Sequence, residues 1–471
     1  MSDYVSFQAA FKGDIVTPEH PDYEQALTRW AANARRRAAI VAFVRDAEDV
    51  ASALKYARGV GIGIAIRGGG HNPAGASSIE DGLVIDLSRH LAETRIDTAK
   101  RLAYVGGGAV WSGVNTEAAK YGLATTGGTV GHHSLTLGGG FGYLAGSHGL
   151  VIDNLVQATI VLADGTVLTA SETKNADLFW GIRGGGSNFG VVTEFVLRLH
   201  LQRKTIYGGT LIWPANKLED IAKAVIERND KGLVERETFI WAVMSKGFRE
   251  PAVMMVVFWN GSEEEGRAHY KPFLDIGMQP KIADQTHEMP YPEINTLMAR
   301  ASAIGNNYYM KSVDQLRPDL GVTKRVAEAT YELSKKHGVE IMYMFEFWSL
   351  DKINSVPNDA TAFQRTTRRS TLVWIKYPHD TPEQLATVRE VADILTKLVT
   401  EGEGNTNINN GYANYSTDAP AIIDPNVDGP IAAAKAQALF GPHMTRLAEL
   451  KRKYDPDLVF NKWYAIKPTE S

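Results

Sequence analysis

A run of three glycines followed by a histidine constrains this chain more than any other feature of its sequence. Residues 64–71 read IAIRGGGH, so a short β-type run ends on a glycine triplet and His71. Glycines let backbone N–H groups converge on an anion, and a neutral imidazole is a competent nucleophile. The combination predicts a phosphate-bearing cofactor that is tethered to the histidine.

Two further glycine clusters lie in the same half of the chain. GGGFG at 138–142 follows the segment VGHHSLTL, and GIRGGGSNFG occupies 181–190. One such cluster is equally compatible with a tight surface turn beside a hydrogen-bonded histidine, but three together favour binding. His132 and His133 do not predict a metal site, because adjacent side chains on an extended segment point to opposite faces.

Length and composition limit the class of protein. At 471 residues the chain exceeds what one hydrophobic core usually serves, which predicts two domains. The net charge of -4 gives no general attraction to nucleic acid or to an anionic membrane. The absence of cysteine excludes disulfides, zinc–thiolate sites and thiol nucleophiles. Because neither a secretory leader nor a long apolar run is present, we expect an intracellular, cytoplasmic protein.

Alternating strand-like and helix-like runs in the first two hundred residues predict an α+β or α/β fold. Strands are expected at 39–44, 62–66 and 83–87, and a helix is expected to begin after Asp46 and to end at Gly59. A hairpin is predicted at 159–169, where Asp164 and Gly165 supply the turn.

The pattern of residues changes beyond about residue 203. Longer, aromatic-rich strand candidates at 252–258, 339–347 and 371–377, with an amphipathic helix at 217–228, predict a second sheet with helices on one face. A helix at 440–454 is expected to return to the first domain. The expected domains are 1–203 together with 418–471, and 204–417.

Several common cofactor and catalytic motifs are absent. The chain contains no GxGxxG dinucleotide fingerprint, no GK[ST] phosphate loop, no HExxH and no GxSxG elbow. The glycine clusters therefore serve another mode of phosphate binding.

The motifs resemble those of the vanillyl-alcohol oxidase superfamily, in its berberine bridge enzyme-like branch. RGGGH at 67–71, with Gly75 downstream, resembles the pyrophosphate loop and the histidine that carries the flavin. LTLGGGFG at 135–142 resembles the second flavin-binding segment, and DLFWGIRGGG at 177–186 with NFGVV at 188–192 resembles the third. TAFQR at 361–365, YANY at 412–415 and the segment 446–456 resemble C-terminal signatures, so the likeness spans nearly the whole chain.

The resemblance implies a two-domain, PCMH-type FAD-binding α+β fold, whose second, α/β substrate domain is built on an antiparallel sheet. It implies FAD bonded through its C8-methyl carbon to His71. The residues expected to hold the cofactor are Arg67, Gly68, Gly69, Gly70, His71, Asn72, Gly75, Gly127, Gly128, Thr129, Val130, Gly131, Ser134, Gly138, Gly139, Gly140, Gly142, Val192, Tyr412 and Asn414.

Two positions bear on how the flavin is held and reoxidised. Many relatives carry a second link through a cysteine where this chain has Gly127, so attachment here is single or absent. Val130 falls where the family places a residue that gates oxygen, and its small side chain favours O2 as the electron acceptor.

Flavin oxidation of an alcohol needs a base for the hydroxyl proton. Tyr412 is the first candidate, followed by Glu346 and Tyr343 on a strand expected to face the flavin. Lys376 is a candidate for lowering a phenol's pKa by proximity. Each also has a structural interpretation: the tyrosines as core or rim, and Glu346 as a solvent-facing residue or an unusual buried acid.

We therefore expect a covalently flavinylated oxidase that takes a hydride from a hydroxyl-bearing small molecule and passes the electrons to O2, giving H2O2. On this reasoning the substrate is an alcohol, a sugar or a secondary metabolite. Two alternatives stay open at this point: an oxidative cyclase or dehydrogenase of specialised metabolism, and a catalytically silent flavin-binding protein.

Overall fold

The computed structural model describes residues 2–131, 135–247, 250–277, 284–298, 302–367, 369–402, 411–418 and 429–469. Up to residue 201 its strands are β1 (Asp14–Val16), β2 (Ile40–Phe43), β3 (Ile64–Arg67), β4 (Leu83–Asp86), β5 (Thr94–Asp97), β6 (Leu102–Gly106), β7 (Leu123–Ala124), β8 (Leu155–Val161), β9 (Val167–Ser171), β10 (Val191–Arg198) and β11 (His200–Leu201). The later strands are β12 (Thr205–Pro214), β13 (Glu237–Met244), β14 (Ala252–Trp259), β15 (His287–Pro290), β16 (Asn307–Gln315), β17 (Glu340–Trp348) and β18 (Arg369–Tyr377).

Helices lie between and around these strands. They are α1 (Ser2–Ala10), α2 (Tyr23–Ala26), α3 (Ala47–Val60), α4 (Trp111–Ala119), α5 (Ala145–His148), α6 (Val151–Asn154), α7 (Ala176–Ile182), α8 (Leu218–Asp230), α9 (Glu263–His269), α10 (Lys271–Leu274), α11 (Leu320–His337), α12 (Asp351–Asn354), α13 (Pro382–Gly402), α14 (Gly429–Phe440) and α15 (Met444–Tyr454). No helix among the described residues combines the length and apolar content that crossing a membrane requires.

The first sheet places the glycine triplet and His71. Its order is β1-β2-β4-β3, with β2, β4 and β3 parallel, so the chain leaves the carboxyl end of β3 directly into the glycine loop. Arg67, the last residue of β3, pairs with the fully buried Asp86 of β4 at 2.9 Å. The predicted strands are confirmed here, with bounds shifted by one or two residues.

Helix α3 begins where the sequence predicts and ends one residue beyond its predicted end. The Asp46 side chain accepts hydrogen bonds from the first-turn N–H groups of Glu48 and Asp49, as a helix N-cap does. The helix does not end at Gly59 but continues to Val60, because Gly61 takes the left-handed conformation (φ 73°) that closes it. The predicted hairpin is confirmed as the antiparallel pair β8 and β9.

A second sheet in this part of the chain has the order β5-β6-β10-β8-β9, and β7 pairs with β11. The largest sheet lies within residues 205–377, is antiparallel throughout and has the order β15-β12-β14-β13-β17-β18-β16. One of its faces carries a core shared with α8, α11 and α13, and the other packs against residues of the first two hundred. The expected antiparallel sheet with helices on one face is therefore confirmed.

The C-terminal segment differs from its prediction. The prediction of a single helix over 440–454 is wrong, because α14 ends at Phe440 and a 3-10 turn containing Pro442 precedes α15. Lys451 of α15 is fully buried and donates to Asp455 at 2.7 Å and to the Asn188 carbonyl at 2.6 Å. The tail thus packs onto the third glycine cluster, while the domain boundaries themselves stay predictions.

A stacked histidine pair predicts how stability depends on pH. The rings of His148 and His200 are parallel, with centroids 3.8 Å apart. Burial lowers the pKa of both, that of His200 to about 4. An unfolded histidine titrates near ~6.5, so between about pH 6.5 and 4 the unfolded chain binds more protons than the folded one. Stability should therefore fall as the pH falls through this window.

The measurement is the free energy of unfolding by urea at pH 7.5, 6 and 5. We expect His200→Gln to lose less stability than the wild type over this range, because one of the two groups that resist protonation is gone. His379→Gln, at an exposed position, is the matched control. Equal slopes in the two variants would contradict the assignment to His200.

Candidate active site

An open cleft lies where the glycine loops meet. Its walls come from the loop after β3, from residues 135–138, from residues 186–195 and from the C-terminal tail. Eight residues proposed from the sequence line it: Gly68, Gly69, Gly70, His71, Asn72, Gly138, Val192 and Asn414. The structure thus brings the separate glycine motifs to one place.

The charge beneath the loop suits an anion. Arg29 is buried under the loop, and its guanidinium donates to backbone carbonyls of Ala26, Thr28 and Ser77. Burial and the neighbouring Arg67 lower its pKa to about 9, so it stays charged at neutral pH. Since Asp86 already pairs with Arg67, the buried Arg29 and the partly buried Arg67 share one carboxylate here, and a pyrophosphate would complete the balance.

A buried hydroxyl supports the same fit. Ser77 lines the cleft, and its Oγ is buried without a hydrogen-bond partner among the described residues. Buried polar atoms are almost always paired in folded proteins. A phosphate oxygen of FAD would supply the acceptor that this hydroxyl lacks.

His71 belongs to an aromatic stack. The His71 ring lies on Trp30 with centroids 3.9 Å apart, and Trp30 in turn stacks on Tyr308 of β16 at 4.4 Å. The indole N–H of Trp30 donates to the Ser302 carbonyl at 2.8 Å. The plane of the imidazole is therefore set by packing that reaches the large sheet.

Tyr412 and Asn414 connect the C-terminal segment to the second glycine cluster. The Tyr412 hydroxyl accepts hydrogen bonds from the Gly140 N–H at 2.9 Å and from Asn414 Nδ2 at 2.6 Å. Burial raises the pKa of this phenol, and the bond from Asn414 opposes the rise. A Cβ at Gly138 would lie 2.5 Å from Asn414 Oδ1, so this arrangement requires glycine there.

Glu346 is a buried acid. Its side chain is 2% exposed, its Oε1 accepts a hydrogen bond from the Tyr415 hydroxyl at 2.9 Å, and its Oε2 has no partner among the described residues. Burial raises the pKa of this carboxyl to about 8. Of the two interpretations of Glu346, the solvent-facing one is wrong. Tyr415, its partner, was not singled out as a catalytic candidate from the sequence.

Two residues that the sequence predicts as catalytic, Tyr343 and Lys376, do not lie beside Glu346. Tyr343 and Glu346 are three residues apart on β17, so they point to opposite faces. Tyr343 packs in the helix-covered core, with its hydroxyl 3.0 Å from that of Thr371, and the expectation that it faces the flavin is wrong. Lys376 forms a half-exposed ion pair with Glu340, six residues and about 20 Å of strand from Glu346. It therefore does not neighbour the phenols that it was expected to affect.

A second loop, residues 127–131, lies beside Leu135, which lines the cleft. A Cβ at Gly127 would lie 2.6 Å from the Trp111 ring. Asn295 holds the loop through two hydrogen bonds. Its side-chain Nδ2 donates to the Gly128 carbonyl at 2.5 Å, and its backbone carbonyl accepts from the Gly131 N–H at 3.2 Å. The backbone beside Val130 is thus fixed from the large-sheet side.

Other cofactor residues proposed from the sequence do not line this cleft, and their role stays a prediction. Ser134 lies outside the described residues, together with His132 and His133. The remaining positions are Arg67, Gly75, Gly127, Gly128, Thr129, Val130, Gly131, Gly139, Gly140, Gly142 and Tyr412.

The cleft also contains residues that sequence reasoning missed. Gly107 belongs to a fourth glycine cluster at 106–108, directly after β6, and this position after a strand was the available signal. A Cβ there would lie 2.1 Å from the Val192 carbonyl oxygen. Trp463 lines the cleft from the tail, and no local pattern marks it.

Comparison with known proteins agrees with this geometry. Residues 38–171 match the family described as FAD binding domain. The FAD-linked oxidoreductase pgmH of Aspergillus terreus is 31% identical over 492 aligned residues, covering 99% of this chain and 96% of that protein. The chain belongs to the FAD-linked oxidoreductases.

Solved structures share the fold of this FAD-linked oxidoreductase. The 6-hydroxy-D-nicotine oxidase of Arthrobacter nicotinovorans superposes with a TM-score of 0.83 at 25% identity, covering 98% of each chain. The glucooligosaccharide oxidase of Acremonium strictum, described as carrying a 6-S-cysteinyl, 8α-N1-histidyl FAD, has a TM-score of 0.83 at 20% identity and 100% coverage of both chains. The resemblance to the berberine bridge enzyme-like branch is confirmed, as is the PCMH-type fold.

Gly138→Ala tests the contact between the second glycine cluster and Asn414. We expect the added methyl group to displace Asn414 and to break its bond to Tyr412, because 2.5 Å is far below van der Waals contact. The FAD content, measured as the ratio of flavin to protein absorbance, should fall several-fold.

Gly113→Ala is the matched control, because a Cβ at this exposed position of α4 meets nothing within 4 Å. Alanine in a helix interior should leave FAD content unchanged and add about 0.5–1 kcal/mol of stability. The proposed contact would be refuted by equal FAD content and equal activity in the two variants.

Proposed function

We propose that this FAD-linked oxidoreductase is an oxidase that converts a hydroxyl-bearing small molecule to the carbonyl compound and reduces O2 to H2O2. The observation that carries the proposal is the buried Glu346–Tyr415 pair on the sheet face turned toward the flavin-binding part of the chain. FAD, when bound, accepts the hydride of the substrate carbon and returns the electrons to O2. The protein must then supply binding, orientation and a site for the hydroxyl proton.

We also propose that FAD is held by a single covalent bond to His71. The ring lines the cleft, and its plane is fixed on Trp30. The attachment balances as one C–N bond formed, with one hydrogen lost from the C8-methyl group, one lost from the imidazole, and O2 reduced to H2O2. A second, cysteinyl bond of the kind described for the Acremonium strictum oxidase has no residue here, and Trp111 occupies the space beside Gly127.

The proton of the substrate hydroxyl is proposed to pass through Tyr415 to Glu346. Tyr412, the first candidate from the sequence, already accepts two hydrogen bonds on its oxygen, so that atom is poorly placed to take a further proton. Tyr415 donates to Glu346 and can hand its own proton to that carboxylate as it receives one from the substrate. Tyr412 and Asn414 then have a positioning role, because they hold the backbone of the second glycine cluster at Gly140.

O2 is the proposed electron acceptor. Val130 is buried among apolar residues, and its backbone is held from the large-sheet side by Asn295. A small apolar side chain beside the flavin leaves room for O2 and excludes water. A dehydrogenase or a silent flavin-binding protein would give no stoichiometric H2O2, whereas an oxidative cyclase would be distinguished by a cyclised product in place of the carbonyl compound.

The tether is tested by acid precipitation with intact-mass analysis. We expect a yellow pellet and a mass gain of one FAD in the wild type, and neither in His71→Ala, because the nucleophilic ring nitrogen is gone. His90→Ala is the control, since His90 lies outside the cleft and contacts Asp14. Flavin released into the supernatant of the wild type would refute the covalent bond while leaving FAD binding intact.

The proton acceptor is tested by the pH dependence of kcat/KM. Glu346 must be ionised to accept a proton, and its pKa is raised to about 8. We expect kcat/KM to rise about tenfold per pH unit below pH 8 and to level off above it. Glu346→Gln should abolish this limb and lower kcat/KM by ~10²–10⁴-fold, the usual range for a lost general base.

Glu340→Gln is the matched control, because Glu340 lies on the same face of β17 at its far, half-exposed end. It should keep the wild-type pH profile. A pH limb that survives in Glu346→Gln would assign the titrating group to another residue.

A further inference from the structure

The sheet face that carries Glu346 is unusually rich in methionine. Five methionines lie on it in two adjacent rows: Met244, Met254, Met310, Met342 and Met344. Strand pairing places them side by side, because Met244 lies opposite Met342, and both Met342 and Met310 lie opposite Trp374. In the next row Ala242 pairs with both Met254 and Met344. We call these two rows the methionine wall.

The methionine wall offers little to a sugar. Its neighbours within the rows include Ala242, Leu372 and Trp374, and the ion pair of Glu340 with Lys376 comes only in the row beyond. The hydroxyl of Ser312, which lies opposite Leu372, is already hydrogen-bonded to Ser370 and to the Tyr412 N–H. Each sugar hydroxyl taken out of water must be hydrogen-bonded, or it costs about 1–3 kcal/mol. Thioether side chains instead make favourable contacts with aromatic rings and adapt to their outline.

Isolated polar atoms border the methionine wall. Glu346 Oε2, the Tyr143 hydroxyl and Trp374 Nε1 are buried without hydrogen-bond partners among the described residues, and all three side chains are at most 5% exposed. Buried polar atoms are almost always paired in folded proteins, and a molecule bound against the methionine wall would supply partners for these three. Indole N–H is a donor only, so it calls for an acceptor oxygen or nitrogen.

The spacing of these atoms sets the length of the molecule. Trp374 pairs with Met342, which is four residues, or about 13 Å of strand, from Glu346. This span matches two or three fused or linked rings. A hydroxyl would meet Glu346 and Tyr415 at one end, and a polar atom would meet Trp374 at the other.

We propose that the substrate is an apolar, ring-containing alcohol with few polar groups, and not a sugar, and that the methionine wall selects it. The inference rests on the proposed oxidase function and narrows the substrate that this site takes. Binding comes from desolvation of the rings on the thioether surface, and orientation comes from the acid at one end of the wall.

The test measures binding, so it does not depend on turnover. The FAD-loaded enzyme, photoreduced so that its flavin cannot accept a hydride, is titrated without oxygen with 2-naphthylmethanol or with cellobiose, and dissociation constants are measured by isothermal titration calorimetry. We expect 2-naphthylmethanol to bind at least tenfold more tightly than cellobiose. Met344→Gln, which keeps the length of the side chain but makes it polar, should weaken 2-naphthylmethanol binding about tenfold.

Met444→Gln is the matched control, because Met444 lies on α15, remote from the methionine wall, and should leave both constants unchanged. The inference is overturned if cellobiose binds more tightly, if neither compound binds, or if Met344→Gln binds 2-naphthylmethanol as the wild type does. None of these results touches the proposed oxidase function, which fails separately if photoreduced enzyme does not return its electrons to O2 as H2O2.

Discussion

Close approach between backbones is the constraint on which this site depends. At Gly142 a Cβ would lie 1.7 Å from the Gly127 carbonyl oxygen, and at Gly184 it would lie 2.2 Å from the Phe363 nitrogen. Each contact joins two separate segments of the chain. Any larger residue would push these segments apart, so the glycine clusters build the cleft by letting its walls meet as well as by exposing N–H groups to an anion.

One face of the large sheet forms an apolar core with helices, and the other carries the proposed catalytic acid. Side chains that alternate toward α8, α11 and α13 form a continuous apolar core, which includes Tyr343. Those on the opposite face meet the flavin-binding part of the chain and include Glu346 and the methionine wall. An acid on the first face would be enclosed in the core and could not reach a substrate. On the second face, Glu346 is buried but is turned toward the flavin-binding part of the chain. Burial then raises its pKa to about 8, near the pH at which a general base works well.

Much of the fold followed from periodicity, and its limits are physical. β14, β17 and β18 lie within two residues of their predicted positions, because long apolar runs identify buried strands. α3 extends one residue past its predicted end, because Gly61 and not Gly59 takes the left-handed conformation that closes the helix. Tyr343 was misassigned because a buried strand is apolar on both faces, so its sequence does not tell which face meets the cofactor.

The sequence by itself determined the chemistry of the cofactor site. Glycine triplets after strands, a histidine beside one of them and the lack of cysteine are local properties, and they identify a flavin-binding oxidoreductase without coordinates. Only the tertiary structure decided which groups lie together at the proposed substrate site. It brought Trp463 into the cleft, paired Tyr415 with Glu346 across 69 residues, and aligned methionines from four strands. These contacts depend on strand register and on the face that each side chain takes, and neither is encoded within a single segment.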